Sequence, residues 1–135
     1  MYFFQFGKGC PYSSMIRSGF MHCGDCEGDC FNSQSNVEEK REHALMVYEF
    51  SREVLTGGKY DLVILDEFGN ALRFDLLKVS HGLELIKLKP SRVELVFTGR
   101  GIPPELIEAA DLVSENNAVK HPLKSGVKSR RGIEY

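Results

Sequence analysis

Asp66 and Glu67 are adjacent carboxylates at the end of an apolar run, Leu62-Val63-Ile64-Leu65. Paired acids are hard oxygen donors, suited to a Mg²⁺ ion whose other ligands are water or phosphate. The aliphatic residues before them include two β-branched members and read as a strand buried on both faces, as in parallel sheets covered by helices. Open α/β sheets bind ligands at the carboxyl ends of their strands, and nucleotide-binding folds hold Mg²⁺ at an acidic strand end. A core strand entering a polar loop gives the same pattern, so the acids alone leave both readings open.

A second candidate is Thr98-Gly99-Arg100-Gly101, at the end of the apolar run Val93 to Thr98. Glycine lets backbone approach a ligand closely, and Arg100 offers a planar fork to phosphate or carboxylate. If the two strands are parallel, Arg100 and Glu67 share one edge of the sheet. Arg100 is equally suited to neutralising Asp66 or Glu67. A third is the basic stretch holding Lys120, His121, Lys124, Lys128, Arg130 and Arg131. It fits a triphosphate or the carboxylate and amide rim of a large cofactor, and it fits a solvated tail as well. A fourth is Cys23-x2-Cys26-x3-Cys30 with Cys10 upstream. These thiolates suit one tetrahedral zinc ion or an iron–sulfur cluster, with His22 as an alternative ligand. Reduced thiols in a loop are the competing reading. Gly7-Lys8-Gly9 does not match the Gly-x4-Gly-Lys-Ser/Thr spacing of a phosphate loop and reads as a strand exit.

These residues sit in a chain of 135, enough for one domain with a real core. A net charge of −2 provides no global basic field for nucleic acid or membrane. No apolar run approaches a membrane span, and Met1 to Phe6 lacks the basic start of a signal peptide, so the cytoplasm is expected. All four cysteines fall in the first thirty residues, which in a cytosolic protein favours metal or redox chemistry over disulfides.

The elements that must position the candidates follow from periodicity. Tyr2 to Phe6 reads as a buried aromatic strand. A chain that opens on such a strand, with no cap before it, is expected to begin in the middle of a fold. A Cys-rich loop over about 10–36 comes next. A helix over 37–56 follows, capped by Ser35 or Asn36, favoured by Glu38 and Glu39, and stopped by Thr56-Gly57-Gly58. A strand over 60–66 is left through Phe68 to Leu72, Phe74 to Val79 holds a short turn or helix, and a helix over roughly 80–88 follows. The strand Val93 to Thr98, a helix from Pro104 to Ala110, a short edge strand over Asp111 to Glu115 and a basic tail over about 118–135 complete the order. Alternating strands and helices predict an α/β fold with a mostly parallel sheet.

Three ordered stretches then carry a family resemblance. They are Tyr60 to Glu67; Thr98-Gly99-Arg100-Gly101 with Pro103 to Glu115; and Lys120-His121-Pro122 with Gly126-Val127-Lys128 and Gly132-Ile133-Glu134-Tyr135. Over roughly residues 37–135 the sequence resembles the ATP:corrinoid adenosyltransferases, which act on cob(I)alamin or cob(I)yrinic acid a,c-diamide. The resemblance implies a P-loop NTPase-like, RecA-like α/β domain spanning residues 1–135. It implies transfer of the 5′-deoxyadenosyl group of ATP to the cobalt of a reduced corrinoid, with release of triphosphate, in cobalamin biosynthesis or salvage. By it, Asp66 and Glu67 serve Mg²⁺ (or Mn²⁺) and the nucleotide, while Arg100, Lys120, His121 and Lys128 match motif positions that meet nucleotide or phosphate. It also implies a homodimer. Family members begin with a strand, a Gly-Lys-Thr phosphate loop and a helix, whereas residues 1–9 look like the family's second strand and its exit. The sheet is therefore expected to lack its first strand and helix and to expose an edge and a face. A fragment, a split gene product whose partner chain supplies the loop, or a shortened variant is expected. The alternatives to the enzyme are a non-catalytic corrinoid- or nucleotide-binding module and a metal-binding regulatory protein that uses the cysteines.

Overall fold

The structure, a computed structural model, describes Tyr2, Phe4 and residues 37–127. The described residues divide into two compact units, one made of Tyr2, Phe4 and the stretch to Val113, the other beginning at Ser114.

In the first unit, helix α1 spans Val37–Thr56, strand β1 Leu62–Leu65, helix α2 Phe68–Arg73, helix α3 Val79–Leu88, strand β2 Glu94–Phe97 and helix α4 Pro104–Glu108. The strands pair in parallel, Leu62 opposite Glu94 through Leu65 opposite Phe97. Parallel neighbours need a crossover, and α2 and α3 supply it. This is an α/β arrangement with a small parallel sheet.

Helix α1 has the span read from its periodicity and turns Tyr48, Ser51 and Leu55 inward. The proposed caps Ser35 and Asn36 lie outside the described residues. Leu55, Val63, Phe68, Leu77, Leu85, Val93 and Leu106 join Tyr48 in one core, and Leu95 and Phe97 of β2 pack against it, so both strands and all four helices contribute. Arg52 ties α1 to α3, with Glu49 Oε2 at 2.8 Å from Nη1 and Glu84 Oε1 at 3.1 Å from Nε. Pro104 opens α4, where its missing N–H costs nothing.

Burial, followed by the hydrogen bond and charge of Glu84, pushes the Tyr48 hydroxyl up to about 12. The folded chain thus holds this proton more tightly than the unfolded chain, where tyrosine titrates near 10. The resulting stability is complete below about pH 10 and is lost as pH rises toward 12. Urea midpoints of the wild type and Tyr48→Phe are expected to converge between pH 10 and 12, the wild type falling faster.

Four expectations need correction. Leu62 and Ile64 are 53% and 56% exposed, so β1 is covered on one face only. Val63 and Leu65 meet the helical core, while Leu62, Ile64 and Val96 form a bare apolar face. Tyr2 and Phe4 lie in no strand. Both are exposed, with their rings edge-on to Tyr60 and Phe50 rather than paired into the sheet. The rest of that aromatic run is outside the described residues. Phe68 to Leu72 is helical rather than a simple strand exit. Finally, residues 111–115 form no strand; Leu112 is 85% exposed, and two apolar residues among acids find no strand edge to pair with.

Candidate functional site

The parallel register decides what meets at the strand ends. Thr98 N–H donates to the Leu65 carbonyl at 3.1 Å, which carries the pairing one step past β2 and sets Thr98 beside Asp66. The Thr98 hydroxyl donates to Asp66 Oδ1 at 2.5 Å. Thr98 Oγ1 in turn accepts the Glu67 N–H at 3.0 Å. One side chain thus fixes two consecutive residues of the other strand.

Glu67 has φ 57° and ψ 22°, the left-handed region that a residue with a Cβ enters at a cost of about 1–3 kcal/mol. Its neighbours impose this. Thr98 takes its N–H, its carbonyl accepts Asn70 N–H at 3.0 Å and Ala71 N–H at 3.3 Å, and Asn70 Nδ2 donates to its Oε2. The backbone reverses within one residue, α2 begins at once, and both carboxylates stay exposed at the strand tip.

The turn after β2 is pressed against the start of α2. Gly69 N–H donates to the Thr98 carbonyl at 3.0 Å. Gly99 has φ 129°, and a Cβ there would stand 2.7 Å from Gly69 N and 3.0 Å from Gly69 Cα. Two glycines therefore let the Asp66–Glu67 corner and the Arg100 turn touch backbone to backbone. Phe68 stacked on Phe97, centroids 4.4 Å apart, supports the crossing from the core side.

Arg100 is exposed at the same edge as the two acids, as a parallel sheet requires. Among the described residues its guanidinium pairs with neither Asp66 nor Glu67; the ion pairs there belong to Arg41 and Arg52. The option that Arg100 neutralises the acids is not realised. No three His, Cys, Asp or Glu side chains converge among the described residues. Asp66 and Glu67 stand as two adjacent exposed carboxylates at the end of β1.

In the second unit, Val119, Lys120, His121, Pro122, Lys124 and Ser125 line an open hollow of about 440 Å³. A 3₁₀ turn, Pro122–Ser125, shapes it, with Lys124 N–H donating to the His121 carbonyl at 3.0 Å. Lys120 and His121, both singled out in the sequence, thus share one concavity with Lys124. Lys128, Cys10, Cys23, Cys26 and Cys30 lie outside the described residues.

Sequence pattern alone assigns no task to Thr98 or Asn70. For Thr98 the signal was available: once the strands are parallel and in register, it must stand beside Asp66. Thr98→Val, equal in volume but without the hydroxyl, is expected to cost about 1 kcal/mol in urea unfolding. It should also loosen the Glu67 backbone, seen as faster hydrogen exchange at the Glu67 amide.

The first unit is a parallel α/β arrangement that brings two exposed carboxylates and an arginine turn to one strand-end edge, the place where open α/β sheets bind ligands. The family model "ATP:corrinoid adenosyltransferase BtuR/CobO/CobP" matches residues 1–135. The chain belongs to this family. It is 38% identical over 139 aligned positions to a corrinoid adenosyltransferase of Sinorhizobium sp, covering 97% of the chain and 64% of that protein. It is 38% identical over 88 positions to a corrinoid adenosyltransferase of Pseudomonas aeruginosa, covering 65% of the chain and 43% of that protein. A corrinoid adenosyltransferase of Escherichia coli K12 is 32% identical over 107 positions, covering 79% of the chain and 53% of that protein. The chain thus spans between 43% and 64% of the length of these three relatives. Among the described residues no helix is long and apolar enough to cross a membrane.

Proposed function

We propose that this chain takes part in transfer of the 5′-deoxyadenosyl group of ATP to the cobalt of a reduced corrinoid. The observation that carries the reading is the family match along the whole chain, 1–135. The strand-end edge supports it, because its acids and arginine are the groups a metal–triphosphate requires. In the reaction the Co(I) electron pair attacks C5′, the C5′–O bond breaks, and triphosphate leaves with the bonding electrons. The hard chemistry belongs to the corrinoid, and the protein supplies binding, orientation and charge.

Asp66 and Glu67 fit Mg²⁺ or Mn²⁺: both are exposed oxygen donors, and Thr98 and Asn70 each engage one carboxylate oxygen. A divalent cation held by these two carboxylates would supply positive charge against the departing triphosphate. Arg100, Lys120, His121 and Lys128 serve the nucleotide and its phosphates, where fixed cations count most because charge develops there. The fold is taken to be P-loop NTPase-like, the assembly a homodimer and the compartment the cytoplasm. The bare face of Leu62, Ile64 and Val96 is consistent with cover from a further segment, on this chain or a partner chain, that also brings the phosphate loop. The Cys10, Cys23, Cys26 and Cys30 spacing supports a zinc or iron–sulfur loop, tested by metal analysis of anaerobically purified protein.

Formation of the Co–C bond from ATP and reduced corrinoid, followed by its visible spectrum, tests the reading. Product with the chain alone, or with a chain carrying the phosphate loop, is expected; none in either case overturns it. A corrinoid- or nucleotide-binding module without turnover is the second reading. It is favoured by the exposure of Asp66, Glu67 and Arg100, since Co(I) chemistry needs water kept away. Tight binding of both substrates without Co–C formation would establish it.

A further inference from the structure

Asn70 stands in the first turn of α2, three residues after Glu67 and thirty before Arg100. Its Nδ2 donates to Glu67 Oε2, and its Oδ1 accepts the backbone N–H of Arg100 at 3.4 Å. One planar amide therefore reaches both halves of the strand-end edge with opposite ends. The orientation is set by chemistry: a carboxylate only accepts and an N–H only donates, so a flipped amide would lose both bonds. Each half needs the restraint. The Glu67 side chain is exposed and has no other hydrogen bond among the described residues. The Arg100 turn lies between two glycines of positive φ, 129° at Gly99 and 72° at Gly101, and among the described residues Gly99, Arg100 and Gly101 donate no backbone–backbone hydrogen bond.

We infer that Asn70 is a positioning residue that locks the Glu67 carboxylate to the Arg100 turn, so that cation and phosphate are met in one fixed geometry. Asparagine suits the task because it is neutral: aspartate in its place would repel Glu67, and lysine or arginine would compete for the carboxylate with a bound cation. This rests on the metal–nucleotide reading of the edge, though not on corrinoid chemistry.

The test uses the full chain with Asn70→Ala and Asn70→Ser, neither of which spans both partners. Mn²⁺ affinity in the presence of ATP is read by electron paramagnetic resonance, and exchange at the Arg100 amide by NMR. Both variants are expected to keep the wild-type melting temperature within a few degrees and to weaken Mn²⁺ about tenfold or more, as partners of metal ligands typically do. Exchange at Arg100 should accelerate in both. Unchanged Mn²⁺ affinity, with or without faster exchange, overturns the inference. So does a wild-type chain that binds no Mn²⁺ with ATP, since the edge would then hold no metal–nucleotide. If only one variant folds, its Mn²⁺ affinity decides by the same criterion. Mn²⁺ binding that depends on Asn70 in a chain forming no Co–C bond supports the inference and sinks the transfer reading instead.

Discussion

Gly99→Ala is expected to destabilise the first unit by about 2–6 kcal/mol and to take the strand-end edge apart. Two effects add. At φ 129° a side chain forces the backbone into a region that residues with a Cβ rarely occupy, at about 1–3 kcal/mol. The added carbon also meets Gly69 N at 2.7 Å and Cα at 3.0 Å, backbone atoms that cannot rotate away, and overpacking of this kind costs typically about 1–3 kcal/mol. Small domains have only about 5–15 kcal/mol in total, so the variant should sit near the edge of folding. The damage is directional. To relieve the contact the turn must lift from α2, breaking the Gly69 N–H to Thr98 carbonyl bond and moving Arg100 away from Glu67. Urea denaturation checks the loss. A midpoint within error of the wild type would mean the two backbones do not cross as described.

Asp66→Asn is the second large effect, and it falls on function rather than stability. The substitution keeps the shape of the side chain and its acceptor toward Thr98, while removing the charge. Asp66 is exposed, so the fold should be nearly indifferent, with a change within about 0.5 kcal/mol. Adenosyl transfer is expected to fall about a hundredfold or more, the scale seen when a group that stabilises developing charge is removed. The loss should appear in both kcat and kcat/KM, as for an interaction made mainly in the transition state. Glu67→Gln should lose less, because its Oε2 already receives the Asn70 amide. A drop of less than threefold for Asp66→Asn would remove the carboxylate from the working site.

Much of this arrangement was legible in the residues because it depends on local pattern. The 20-residue helix α1 follows from apolar spacing, acids in the first turn and a Gly-Gly stop. The parallel pairing of β1 and β2 follows from strands separated by helical sequence. The acids at one strand end and the arginine at the next then fall on one edge by topology alone. What escaped depends on contacts distant in sequence. Helix α2 is six residues long and includes Gly69 and Asn70, poor helix formers; it is held by Phe68 on Phe97 and by the Gly69 bond to Thr98. Asn70 gained its meaning only when the amide was seen to reach Arg100. The both-faces burial of Leu62 to Leu65 failed because an apolar run reports the burial a strand is suited to, whereas helices cover one face of this sheet. The strand over 111–115 failed because two apolar residues have no propensity strong enough to act without a neighbouring edge.

The most direct measurement of the central claim is phosphorus NMR of the products when the chain, with a phosphate-loop segment if required, is incubated with Mg²⁺, ATP and reduced corrinoid. Attack at C5′ releases the three phosphates as one unit. Intact triphosphate is expected in step with Co–C bond formation, and neither product from Asp66→Asn above about a hundredth of the wild-type rate. Release of ADP and inorganic phosphate, or of AMP and pyrophosphate, would contradict it, as would triphosphate formed without the corrinoid.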